Sequence, residues 1–87
     1  MQKRTLNEKV NITGWYFRNR KGLSTYPKRM EYQGSTYTFN ESGLQYLIKK
    51  GERSLRIFDV TDGASKFRLI SDEAQIDWTL VAISESV

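Results

Sequence analysis

Two dipeptides, Gln33-Gly34 and Asp62-Gly63, each stand between runs that alternate apolar and polar residues, and that arrangement commits the chain to antiparallel hairpins. The registers follow from counting. A two-residue turn at Gln33-Gly34 sets Tyr32 opposite Ser35, Glu31 opposite Thr36, Met30 opposite Tyr37 and Arg29 opposite Thr38, so Met30, Tyr32, Tyr37 and Phe39 share one side. The same turn at Asp62-Gly63 sets Asp59 opposite Lys66 and Phe58 opposite Phe67. If residues 72–75 form a loop, Leu69 meets Trp78 and Phe67 meets Leu80. The last three strands, 54–60, 66–71 and 76–83, then share a core face of Phe58, Val60, Phe67, Leu69, Ile76, Trp78, Leu80 and Ala82, with Arg56 interrupting it.

Elsewhere the signals are mixed. Val10 to Phe17 is rich in β-branched and aromatic residues and reads as a strand, with Gly14 marking a bulge or a close backbone approach. Residues 18–29 hold the only proline and read as a loop of about a dozen residues, long enough to suggest function or mobility. Residues 1–8 have no periodicity and read as a flexible N-terminal arm, leaving 9–87 as a single domain. Asn40-Glu41-Ser42 offers a helix cap and an acidic first turn. Leu44, Leu47 and Ile48 follow at helical spacing, and Gly51 suits the position just past the end. A helix between residues 40 and 50 is therefore expected. The fold class that results is α+β: an antiparallel sheet or curled half-barrel of five or six strands with one short helix, in the order β-ββ-α-βββ.

Eighty-seven residues support one core and no more. There is no Cys and no His, which removes disulfides, thiolate and imidazole metal ligands, and His-based acid–base chemistry. No P-loop, dinucleotide fingerprint, nucleophile elbow or zinc-protease motif occurs. Asp59, Asp62, Asp72, Glu73 and Asp77 match no calcium-loop spacing; turn and ion-pair roles account for them, so no metal or cofactor is expected. The expectation is a non-catalytic protein. The longest apolar stretch is Leu80 to Ile83, too short for a membrane span, and a cytoplasmic location is expected.

Charge is unevenly spread. Residues 1–30 carry eight cations against the single acid Glu8, a net of +7, while residues 31–87 carry six cations against nine acids, a net of −3. A positive first third suggests an anionic partner, and nucleic acid is the one that fits best. Single strands are held by aromatic platforms beside cations that track phosphates. Trp15 and Tyr26 as platforms, with Arg18, Arg20, Lys21, Lys28 and Arg29 as cations, supply both.

The second candidate surface is the side of the sheet opposite the core, where Leu55, Ile57, Ile70, Val81 and Ile83 mix with Asp59, Lys66 and Arg68. A helix-covered antiparallel sheet ordinarily shows water a polar face. Either the first strand and hairpin curl over this side, which is the expectation, or it meets a protein partner or a second copy through Leu55, Ile57, Arg68, Ile70, Val81 and Ile83.

Overall fold

The structure is a computed structural model that describes residues 2–20, 22–40, 43–72 and 77–85. It consists of seven strands: β1 (Gln2–Arg20), β2 (Gly22–Tyr32), β3 (Ser35–Thr38), β4 (Leu44–Lys50), β5 (Arg53–Thr61), β6 (Ser65–Asp72) and β7 (Trp78–Glu85). All pairs are antiparallel, in the order β3-β2-β1-β7-β6-β5-β4. Among the described residues there is no helix, so the fold is all-β and not α+β.

β1 determines the shape, because one strand serves two layers. Its first half pairs with β7, from Gln2↔Glu85 to Val10↔Trp78, and its second half pairs with β2, from Asn11↔Glu31 to Arg20↔Gly22. Register shifts fall between Thr5 and Glu8, where Asn7 takes φ 52°, and again around Gly14. Such bulges bend a strand and raise its twist. The β2–β3 hairpin consequently swings over the sheet formed by β7, β6, β5 and β4. Tyr26 meets Phe58 edge-on at 5.7 Å, and Tyr37 and Phe39 lie 5.4 and 5.1 Å from Phe67. Between the layers Met30, Phe39, Phe58, Phe67, Leu69 and Leu80 are buried. Beyond β3 the chain crosses back, and the Asn40 amide donates to the Thr61 carbonyl at 2.8 Å, tying the end of one layer to the other.

The first hairpin has the register counted from sequence, Arg29↔Thr38 through Tyr32↔Ser35. Gln33 and Gly34 both have positive φ, 50° and 78°, as a type I′ turn requires. Glutamine tolerates that region less well than asparagine. Gln33→Asn is expected to stabilise the fold by about 0.5 kcal/mol, read as a rise of roughly 2–4 °C in Tm; no rise would mean that residue 33 relaxes out of this conformation in solution.

Four other expectations give way. Leu44 to Lys50 is β4, paired with β5 over its whole length, because Leu44, Tyr46 and Ile48 satisfy a period of two as well as Leu44, Leu47 and Ile48 satisfy a helical one. A helix that short gains little unless it packs, whereas the strand gains a full ladder. Gly51, with φ 65°, is then a turn residue joining Lys50 to Arg53, and not the residue after a helix. Residues 18–20 and 22–29 are paired strands and not a loop. Pro27 is accommodated beside the Gly14/Trp15 bulge, past the reach of β3, where a missing N–H is tolerated. Residues 2–8, read as an arm, are the start of β1.

The fourth correction concerns register. Residues 62–65 make a four-residue turn in which the Asp62 carboxylate accepts from the amides of Ala64 and Ser65 at 2.9 and 2.8 Å. Asp59 therefore faces Arg68 instead of Lys66, and Phe58 faces Leu69 instead of Phe67. On the other side Leu69 faces Leu80 and Ser71 faces Trp78, displaced by two residues from the counted register. Because the displacement is even, most of the core face survives: Phe58, Val60, Phe67, Leu69 and Leu80 are buried in the core, while Ile76 lies outside the described residues. The irregularity between Arg68 and Leu69 exchanges two residues of β7: Ile83, assigned to the opposite face, turns inward opposite Phe67, and Ala82, assigned to the core face, lies opposite Arg68 on the outer side.

Candidate protein interface on the outer sheet face

The β2–β3 hairpin covers the Phe58–Phe67 side of the sheet, so the mixed side expected beneath it stays outside. Cross-strand partners share a face, and the pairings assemble this surface in rows. Ile48 lies beside Leu55; Tyr46 beside Ile57 and then Ile70; Leu44 beside Asp59 and then Arg68. Leu55, Ile57, Ile70 and Val81 are half-buried, and Arg68 is exposed. Of the expected interface residues, Leu55, Ile57, Arg68 and Ile70 thus remain together, Val81 falls at the β7 irregularity, and Ile83 turns inward.

Sequence reasoning missed the strand that dominates this surface. β4 is an edge, paired only with β5. Leu44, Tyr46, Leu47 and Ile48 are 61%, 42%, 61% and 43% exposed, so most of its length offers apolar side chains to water. The alternation of Leu44, Tyr46 and Ile48 was the available signal, hidden by the competing helical spacing. An edge strand of this kind leaves a row of backbone N–H and C=O groups open to another strand.

Where β4 begins, the surface dips into a cleft of about 310 Å³ lined by Leu44, Asp59, Phe67, Arg68 and Ala82, with Gly43 at its rim. A side chain on Gly43 would come within 3.1 Å of the Asp59 carbonyl, so a residue without Cβ keeps the crossing chain tight against β5. Arg68 grips Asp59 through two hydrogen bonds of 2.8 and 2.9 Å, and the carboxylate holds the guanidinium pKa above its ordinary value.

The basic N-terminal residues are placed differently. Trp15 packs on Trp78 at 5.3 Å, and Tyr26 packs on Phe58. Lys28 lies over the Tyr16 ring at 5.4 Å, and the Arg29 side chain sits over Gly14. Arg18 and Arg20 occupy the far end of β1, opposite Ser24 and Gly22, and Lys21 lies outside the described residues. Phe17, which was not singled out as a platform, is 73% exposed. The two platforms named from sequence are half-buried, each packed on an aromatic ring of the sheet.

Two further polar groupings involve β1. The Tyr32 hydroxyl donates to the Glu8 carboxylate, which raises the phenol pKa, and Lys9 pairs with Asp77 at 3.1 Å. Among the described residues no three carboxylates gather as a metal site would need, and no helix is long and apolar enough to cross a membrane. Compared with known protein families, with curated proteins and with solved structures, the chain matches none.

Proposed function

We propose that the protein is a non-catalytic association module that adds another polypeptide strand to the β4 edge, beside its outer sheet face. The exposed apolar side chains of that edge carry the proposal. Water-exposed apolar surface gathered in one place favours burial against a partner, and main-chain pairing supplies affinity while the alternate side chains supply selectivity. The proposed setting is the cytoplasm, which suits a chain that relies on no disulfide.

The competing reading, nucleic acid bound along the β1–β2 hairpin, draws its support from the +7 charge of residues 1–30 and from exposed Phe17. Salt separates the two, since phosphate contacts weaken steeply with ionic strength and an apolar strand contact does not. The test places a photo-crosslinking amino acid at Tyr46, and at Thr36 on β3 as control, in the cells that express the protein. Fluorescence anisotropy with single- and double-stranded oligonucleotides at two salt concentrations runs beside it. Polypeptide adducts are expected from position 46 and not from 36, with no salt-sensitive oligonucleotide binding. Adducts absent from position 46, together with tight low-salt oligonucleotide binding, would replace this reading with the nucleic-acid one.

A further inference from the structure

We infer that the strand received by β4 is β4 of a second copy, paired antiparallel about a two-fold axis through Leu47. This rests on the association reading above and names its partner.

The pairing can be laid out residue by residue. A two-fold axis perpendicular to a sheet pairs strands antiparallel and keeps both outer faces on the same side. With the axis at Leu47, all seven residues of β4 (Leu44–Lys50) find partners: Leu47 faces its own copy, Tyr46 faces Ile48 of the second copy, Gln45 faces Lys49, and Leu44 faces Lys50. Moving the axis to Tyr46 or Ile48 leaves two residues at one end unpaired, and the Ile48 axis sets Tyr46 against a lysine. A parallel arrangement would instead put each Lys49-Lys50 pair beside its copy, like charge against like.

The outer face supports the same register. Ile70, Ile57 and Tyr46 already form one row across three strands, and Ile48 and Leu55 form another. The Leu47 axis joins the row of one copy to the other row of its mate. The result is Ile70, Ile57, Tyr46, then Ile48 and Leu55 of the second copy, an apolar band across five strands that symmetry repeats. Aromatic–β-branched neighbours such as Tyr46 and Ile48 are among the favourable cross-strand pairs. Charge agrees as well, because this register sets Lys49 and Lys50 of the second copy opposite Gln45 and Leu44 and not opposite lysines. The other edge, β3, offers only the four residues Ser35–Thr38, of which all but Tyr37 are exposed and polar. A single seven-residue strand contact lies at the small end of interfaces, so a dissociation constant of about 10 μM is expected.

The chain contains no cysteine, which makes single-cysteine variants clean probes. Directly opposed residues of antiparallel strands lie about 4.5–5.5 Å apart at Cα, inside the range a disulfide spans. Under mild oxidation Leu47→Cys should form a covalent dimer, as should a mixture of Tyr46→Cys with Ile48→Cys, while Thr36→Cys on β3 should not. Sedimentation velocity should show the unmodified protein passing from monomer to dimer around 10 μM. Leu47→Lys, at a site already exposed, should keep the circular dichroism of the parent and weaken dimerisation at least tenfold. Self-crosslinking at Lys49→Cys in place of Leu47→Cys would overturn the register. A monomer throughout the concentration range, with Leu47→Cys no more reactive than Thr36→Cys, would overturn the second copy as partner. In that case, photo-adducts from position 46 to some other polypeptide would leave the association reading standing, and their absence would remove both.

Discussion

Phe58→Ala should cost about 3–5 kcal/mol of unfolding free energy, measured by urea or guanidinium denaturation. The Phe58 side chain is fully buried, with the Tyr26 ring edge-on at 5.7 Å, Trp78 at 5.2 Å and the Arg56 guanidinium over its face at 5.2 Å. It is therefore the point where the hairpin layer, β5 and the central strand β7 touch through one side chain. Truncation removes the transfer free energy of the ring and leaves a cavity whose walls belong to both layers, so collapse around it would have to move one layer against the other. Domains of this kind have only about 5–15 kcal/mol in total, so the variant should sit near the threshold of folding. Phe17→Ala, at a residue 73% exposed, should change stability by about 0.5 kcal/mol or less and serves as the contrast. A loss at Phe58 below about 1.5 kcal/mol would show that the two layers are not packed through it.

A chain ending at Asp77 should show no cooperative unfolding transition by heat or denaturant. β7, last in sequence, lies in the middle of the sheet with β1 on one side and β6 on the other. It also supplies buried Leu80, Ala82 and Ile83. Without it the β1–β2–β3 unit and the β4–β5–β6 unit share no strand pair, and each is a three-stranded sheet with half its core missing. Retention of a sharp transition in the shortened chain would mean that the hairpin layer docks on β5 and β6 without the intervening strand.

How much of this was legible beforehand depended on the range of the interaction that decided each element. The Gln33-Gly34 hairpin was readable to the residue, because turn chemistry and alternation are both local. The Asp62 turn was placed correctly but miscounted, since the Asp62 carboxylate capping Ala64 and Ser65 supports a four-residue turn as well as Asp-Gly supports a two-residue one. Parity protected the core face from that miscount, and only at the β7 bulge, where Ile83 turns inward and Ala82 outward, did it fail. Leu44 to Lys50 fitted two periods at once, and what chose between them was the offer of a ladder from β5, a partner that propensity does not see. The long reach of β1 was hidden for a similar reason. Its residues 2–8 look irregular alone and become a strand only through β7, more than seventy positions away in the chain. Of the candidate surfaces, the residues around Ile57 and Ile70 were found from alternation. Trp15 and Tyr26 carry a signature that does not tell the two roles apart, because an aromatic beside a cation looks the same in sequence whether it faces water or, as here, packs on Trp78 and Phe58.

The pairing of Gln2 with Glu85 has a topological consequence. The two ends of the described chain are neighbours, so a short peptide tether could join them into a ring without disturbing any strand, and fresh termini could then be opened at an exposed turn such as Gly51-Glu52. Such a permuted chain would turn the most distant contact in the molecule into a simple hairpin. By lowering contact order it would relieve the slowest search the natural connectivity imposes on folding.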